Sequence, residues 1–350
     1  MEVSCCSFGE LAGVAEEWNA LLAEAAIPGI FMSWQYQNVW WQHFGSNYDA
    51  HILTLREGGV LKGIAPLYIF SGELTDNETD RQPGGSGQRI VRLVGGVDVS
   101  DYVDVICQPA DAPAVWQAVG QYLEQHAAEW DSLDLHNLPA ASVTRALLPD
   151  WAKVQGYTVR EVEEDKAPYI ELPTDRNFET HVAAINKKDR HELRRKTRRF
   201  ETAFPDYQYS TVPPAAIVGD LADFFRLNRL AAGAKQQFMT EPMAAYFTDL
   251  AAALADVGWL RLNYLSVGGK RIASYLAFDR DEVIYLYNTG YDPEYREYSV
   301  GLLLAAYFIK DVTEQGYKRF DFMQGTERYK YDLGAVNSEV FNVIVEKNNG

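Results

Sequence analysis

Long apolar runs are the first thing this sequence lacks. No stretch of about 18 apolar residues occurs in its 350 residues, so no segment has the length and hydropathy of a bilayer-spanning helix. The opening residues MEVSCCSFGE carry no basic cluster and no apolar block, so no signal peptide is expected and a cytoplasmic location is. Cysteine is scarce: three residues, two of them adjacent (Cys5, Cys6), make no disulfide framework and suit a reducing compartment. The six histidines (His43, His51, His126, His136, His181, His191) form no H-E-x-x-H pair and no zinc-like Cys/His spacing, so no metal is expected. A P-loop and a dinucleotide-binding glycine fingerprint are both missing, which sets ATP and NAD aside. The glycines at Gly84–Gly87 lie in a polar stretch and do not fit a nucleophile elbow.

Positive charge is also in short supply. Lys and Arg number 32 against 49 Asp and Glu, a formal charge of −17, which argues against general capture of nucleic acid. One segment reverses the balance. Lys187–Arg199, KKDRHELRRKTRR, holds eight basic residues against only Asp189 and Glu192. On a helix, Arg190, Arg194 and Arg198 share one stripe, and Lys188, Arg195 and Arg199 share its neighbour. Such a doubled stripe suits phosphate contact, or pairing with the carboxylates abundant elsewhere in the chain.

What is present is globular. A hydrophobic content of 47%, with 13% aromatic, supports sizeable cores, and the length fits two domains. Helical spacing predicts helices over Phe8–Ala26 and after an N-cap at Ser33. Strands at His51–Leu55 and Val60–Phe70 form a hairpin turning at Glu57-Gly58-Gly59. A polar loop, Ser71–Arg89, precedes strands near Ile90–Val94 and Tyr102–Cys107, a helix over Ala112–Glu129 and a strand at Ser132–His136. The second half reads as a basic helix, then helices over Ala215–Ala232 and Pro242–Val257. Strands follow over Leu260–Ser266, Arg271–Asp279 and Val283–Asn288, the first two turning at Gly268-Gly269, then a helix over Ser299–Gln315 and a strand over Lys318–Phe322. The order hairpin, third strand, long helix, strand thus occurs twice. The break between the halves falls within Trp151–Asn177, where Gly156, Pro168 and Pro173 interrupt the pattern.

The segment from Tyr285 to Ala335 carries most of the functional signal. Arg296, Ser299, Val300 and Gly301 open a long helix, where unpaired amides and the positive dipole end attract anions. The next strand carries Asp321 near its end, and beyond it comes Glu327-Arg328-Tyr329-Lys330-Tyr331. On residues alone, the preferred reading is that Lys330 pairs with Asp332 on a surface strand and Asp321 caps a turn. In the first half, Asp98, Asp101 and Asp104 crowd one stretch with Tyr102; their spacing does not match a calcium loop, and a solvated turn is the plain alternative. Trp34, Tyr36, Trp40 and Trp41 form an aromatic cluster whose spacing is that of a core helix.

Taken in order, these motifs resemble the GNAT acyltransferase core. The Asp321–Lys330 segment, the Ser-Asp-Tyr at Ser100–Tyr102 and the Trp-rich helix resemble its two-lobed FemAB-like and CelD-like branch. The resemblance implies an α/β (α+β) fold of tandem GNAT-like lobes, residues 1–160 and 161–350, each a mixed central sheet flanked by helices. It implies a donor site at Arg296, Ser299, Val300 and Gly301, although the family turn's second glycine is missing. The implied catalytic set is Lys330, Asp321, Glu327 and Tyr329, with Lys330 supporting a tetrahedral oxyanion. Acceptor contacts are expected at Asp101, Tyr102, Trp34, Arg190 and Arg194. The implied activity is N-acyl or N-acetyl transfer from acyl-coenzyme A to the amine of a small-molecule or nucleotide-sugar-linked acceptor. Transfer from aminoacyl-tRNA, and a catalytically degenerate scaffold serving polysaccharide or envelope assembly, are the alternatives.

Overall fold

The computed structural model describes residues 1–72, 87–96, 99–230 and 238–348. Most of the polar loop expected over Ser71–Arg89, including Gly84 and Gly85, lies outside these residues, as do Val97, Asp98 and the end of the helix expected over Ala215–Ala232. The chain divides into two compact units, Met1–Asp165 with Glu339–Gly350, and Lys166–Ser338. Among the described residues, no helix is long and apolar enough to cross a membrane.

The first unit is a mixed sheet with helices. Its strands are β1 (Glu2–Cys6), β2 (Asp49–Glu57), β3 (Val60–Gly72), β4 (Gln88–Leu93), β5 (Ile106–Cys107) and β6 (Ser132–Pro139), and its helices α1 (Ala15–Ala23), α2 (Trp34–Phe44), α3 (Ala112–Gln125) and α4 (Val143–Val154). The β2–β3 hairpin turns at Gly58 and Gly59, both at positive φ (55° and 83°), as a tight hairpin turn requires. Steps β1–β2, β2–β3 and β3–β4 are antiparallel, whereas β4 and β6 are parallel and bridged by α3. A strand at Val336–Glu346, absent from the sequence reading, runs antiparallel to β6. Ser33 caps α2 as expected, its side chain accepting from the Tyr36 amide.

Two expectations change here. Tyr102–Cys107 contributes only β5, because Asp104 turns inward to accept hydrogen bonds from the Val143 and Thr144 amides at the start of α4 (2.9 and 3.2 Å). Burial pushes that carboxyl up to about 6, even though hydrogen bonds from Thr144, Ser142 and Val105 pull the other way. The helix expected from Phe8 begins at Ala15, after a single tighter turn at Ala12–Val14.

The second unit repeats the plan. The end of β7 (Thr158–Glu171) joins β8 (Gln208–Thr211), β9 (Leu260–Val267), β10 (Lys270–Arg280), β11 (Val283–Tyr291) and β12 (Arg319–Asp321). Its helices are α5 (Phe178–Ala184), α6 (Lys187–Ala203), α7 (Leu221–Arg229), α8 (Glu241–Asp256), α9 (Val300–Gln315) and α10 (Arg328–Asp332). Steps β8–β9, β9–β10 and β10–β11 are antiparallel, β11–β12 is parallel and bridged by α9, and β7 closes antiparallel on β12. Both units therefore share one sequence of pairings. The strand after α4 closes the second sheet, and the strand after α10 closes the first.

Helix α9 is apolar on nearly every side, with ten of its residues buried, and Gly316 ends it in a left-handed conformation (φ 91°). Helix α7 lies directly on β11. A Cβ on Gly290 would come within 2.5 Å of the Asn228 nitrogen, so only glycine permits this approach.

The first unit also buries a charged network. His136 on β6 sits between Asp134 (2.8 Å from Nε2) and Glu164 of β7 (2.6 Å from Nδ1), and Asp134 also takes Arg92 and Asn342. Burial alone would lower the histidine pKa, but the hydrogen bonds and charges of the two carboxylates outweigh it and raise the value. A raised folded pKa means stability present below about pH 6.5 and lost as pH rises through the folded value. Urea midpoints should therefore fall from pH 6 to pH 8.5 more steeply in the wild type than in His136→Gln; parallel slopes would refute the charged-imidazole account. Deleting Glu339–Gly350 removes the buried Val340, Val343, Ile344 and Val345 and strips β6 of a partner. That truncation should abolish the cooperative unfolding of the first unit in a circular-dichroism melt, and a melt like the full chain's would contradict this strand assignment.

Candidate active site

The parallel pair β11–β12 sets the location of the site. Two parallel strands end on the same edge of the sheet, so the segments leaving them emerge together there. After β11 comes a turn, Pro293–Tyr298, leading into α9, and after β12 comes the loop that leads into α10. Asp292 starts the turn, accepting from the Glu294 amide (3.1 Å) and pairing with Lys270 (2.7 Å). Arg199 of α6 holds its far end through Glu297 (2.6 Å).

Ser299 then adopts a left-handed conformation (φ 57°, ψ 40°), and its side chain makes no capping hydrogen bond. Its carbonyl accepts from Leu303 (3.1 Å), so the amides of Val300, Gly301 and Leu302 precede the first intrahelical bond and have no intrahelical acceptor. These residues line a cavity of about 280 Å³ together with Arg296, Ser299, Glu327 and Tyr329. A Cβ on Gly301 would meet nothing nearer than a Tyr291 ring carbon at 3.9 Å. The glycine therefore keeps space open and is not demanded by helix–sheet packing. Tyr275, Thr289, Gly290 and Tyr291 complete the lining, and the Tyr275 hydroxyl donates to the Gly301 carbonyl (2.6 Å). Burial raises the phenol pKa values of Tyr275 and Tyr329 well above the usual range, so both hydroxyls stay protonated.

Lys330 lies beneath this surface. Only 2% exposed, it extends its ammonium to the carbonyls of Met323 (3.2 Å), Gln324 (2.8 Å) and Gly325 (2.9 Å) and to Glu327 Oε2 (2.9 Å). With four protein acceptors around three N–H groups, its hydrogens are already engaged. Lys330 is on a short helix and pairs with Glu327, while Asp332 pairs instead with Arg328 (2.7 Å). Gly325 (φ 104°) permits this fold-back, since a Cβ there would fall 2.7 Å from Glu327 Oε2. Asp321 is buried and accepts from the Met323 amide (2.8 Å), so it caps the turn that begins the loop.

Six residues singled out in the sequence thus line one cavity: Arg296, Ser299, Val300, Gly301, Glu327 and Tyr329. Lys330 supports Glu327 without lining the cavity itself. Arg190 and Arg194 lie along α6, beside Lys187, Lys188 and His191, where Arg190 donates to the Ala183 carbonyl and Arg194 pairs with Glu179. Trp34, Asp101 and Tyr102 belong to the first unit. Trp34 is buried against Phe8 and Trp18 (ring centroids 5.6 and 5.5 Å), and Tyr102 packs on Phe31, so both serve the core. Sequence reasoning missed Tyr275 and Tyr291, whose signal was a hydroxyl-bearing aromatic on each strand beside the α9 turn. Among the described residues, no cluster of metal-ligating side chains occurs.

Comparison with known proteins agrees with this architecture. Residues 187–331 match the family model of the acetyltransferase (GNAT) domain, which spans α6 to α10. The whole chain resembles the crystal structure of FemX, with a TM-score of 0.61 at 10% identity, covering 98% of this chain and 97% of that one. It resembles the C-terminal domain of a putative lysylphosphatidylglycerol synthetase from Agrobacterium fabrum (TM-score 0.56, 12% identity, 98% and 93% covered). A similar likeness holds for L-PGS from Bacillus licheniformis (TM-score 0.52, 14% identity, 95% and 91% covered). No curated protein sequence matches the chain. Residues 187–331 thus match a GNAT-type acetyltransferase domain, and the chain as a whole has a FemX-like fold.

Proposed function

We propose that this protein is an N-acyltransferase that takes an acyl group from acyl-coenzyme A and transfers it to the amine of a small-molecule or sugar-linked acceptor. The observation that carries the reading is the start of α9: three backbone amides without intrahelical acceptors, beside Arg296, lining a cavity that Gly301 keeps open. Such amides and the helix dipole favour the pyrophosphate of a nucleotide thioester. The same cavity carries Glu327, whose placement by Lys330 suits holding an acceptor amine and taking its proton.

In this scheme the amine nitrogen attacks the thioester carbonyl. The new C–N bond forms, the tetrahedral oxyanion collapses, and the C–S bond breaks to release the thiolate. The amine proton passes to Glu327. The protonated Tyr329 hydroxyl is the nearby donor for the departing sulfur, and much of the rate comes from alignment of a neutral amine with the carbonyl. Lys330 acts through Glu327 as a positioning residue. The exposed basic residues of α6 favour a second reading, in which the donor is an aminoacyl-tRNA.

A thermal-shift titration separates these. Acetyl-coenzyme A at 100 times its dissociation constant should stabilise the protein by about 2.7 kcal/mol. Gly301→Leu, which fills the cavity, should melt like the wild type without ligand and lose the shift. Glu327→Gln should keep the shift but lose about 10²- to 10⁴-fold in transfer rate. Lys330→Met should lower both the melting temperature and the activity, because it leaves three carbonyls and Glu327 without their cation. Salt-sensitive binding of charged tRNA with no response to coenzyme A would favour the second reading. Silence toward both would favour a non-catalytic scaffold.

A further inference from the structure

A second concave surface lies along α6. Arg195, Arg198 and Arg199 of α6, with Thr202 and Tyr298, line a depression of about 420 Å³. Tyr298 lines this depression and Ser299, the next residue, lines the α9 cavity, so one turn contributes to both recesses. Arg199 ties the recesses together: it bonds to Glu297 of that turn, and its guanidinium lies 5.0 Å from the Tyr298 ring centroid.

We propose that this recess recognises a terminal phosphomonoester on the donor nucleotide, the 3′-phosphate of coenzyme A. The inference rests on the acyl-coenzyme A reading above and extends it to specificity. Three features carry it. First, three arginines line one hollow, and their planar guanidinium forks match phosphate oxygens better than ammonium groups do. Second, the groups are unequally committed. Arg195 pairs with Glu192 (2.8 Å) and Arg199 with Glu297 (2.6 Å), whereas Arg198 is exposed and pairs with no carboxylate among the described residues. Arg198 is thus the cation most available to a ligand. Third, the charge is local. On a chain of net charge −17, a hollow with one uncommitted arginine and two half-satisfied ones suits a compact dianion, and an extended polyanion would meet the acidic remainder. Thr202, four residues beyond Arg198 on the same helix face, adds a hydroxyl to the lining.

Isothermal titration of the full chain with acetyl-coenzyme A and with 3′-dephospho-acetyl-coenzyme A tests the proposal. The phosphorylated ligand should bind about 10- to 100-fold more tightly, in keeping with a charge-assisted contact. Arg198→Gln, a change at an exposed position that leaves the fold intact, should erase most of that difference while leaving the affinity for the dephospho compound unchanged. Equal binding of the two ligands by the wild type, or a preference that survives Arg198→Gln, would overturn the subsite and leave the donor reading standing. If neither compound binds, the donor reading itself fails and the subsite fails with it.

Discussion

The parallel pairing of β11 with β12 is the constraint on which the candidate site depends. Val283–Tyr285 align with Arg319–Asp321, and the chain must cross over between them through α9. A parallel pair delivers two chain exits to one edge. One exit becomes the start of a long helix, with its unsatisfied amides, and the other becomes the loop bearing Glu327, Tyr329 and Lys330. The apolar surround of α9 fixes the helix, and Gly290 lets α7 settle directly on β11. An anion-attracting terminus and a carboxylate therefore line the same cavity because of connectivity, before any side-chain detail is considered.

Electrostatics then sharpens the arrangement. A lysine in this loop suggests at first a cation aimed at substrate, but Lys330 spends its hydrogens on three carbonyls and Glu327. Its ammonium shapes the loop, and the group presented to the cavity is the carboxylate it holds. In the proposed reaction, the positive potential offered to the donor comes instead from backbone amides, Arg296 and Arg198. Burial acts in the same direction by keeping Tyr275 and Tyr329 protonated, so the cavity offers hydroxyl donors and no phenolate.

Local features were the legible ones. The cap at Ser33, the glycine turn at Gly58-Gly59 and the α9 run from Val300 to Gln315 each depend on a few neighbouring residues, and each is present. The repeated strand–helix order was visible too, since it depends on spacing. Features set by distant partners stayed hidden. The strand Val336–Glu346 has an ordinary alternating pattern, but nothing local says that it pairs with β6, some 200 residues earlier. The span Trp151–Asn177 read as the break between the halves, with Pro168 among its interruptions, yet β7 runs through it from Thr158 to Glu171. The Pro168 carbonyl still accepts from the Phe322 amide (2.9 Å), so the strand keeps a ladder hydrogen bond at the proline. The burial of Lys330 was equally hidden, because a lysine between two tyrosines reads as surface until the carbonyls that surround it are in place.

The central claim is that the first amides of α9 receive the donor's phosphates. Residue-resolved amide hydrogen exchange, with and without saturating acetyl-coenzyme A, addresses it most directly. The account predicts that Val300, Gly301 and Leu302 exchange quickly in the free protein and gain protection on binding, with a smaller gain in the loop around Glu327. Ligand-induced protection elsewhere, with those three amides unchanged, would contradict it.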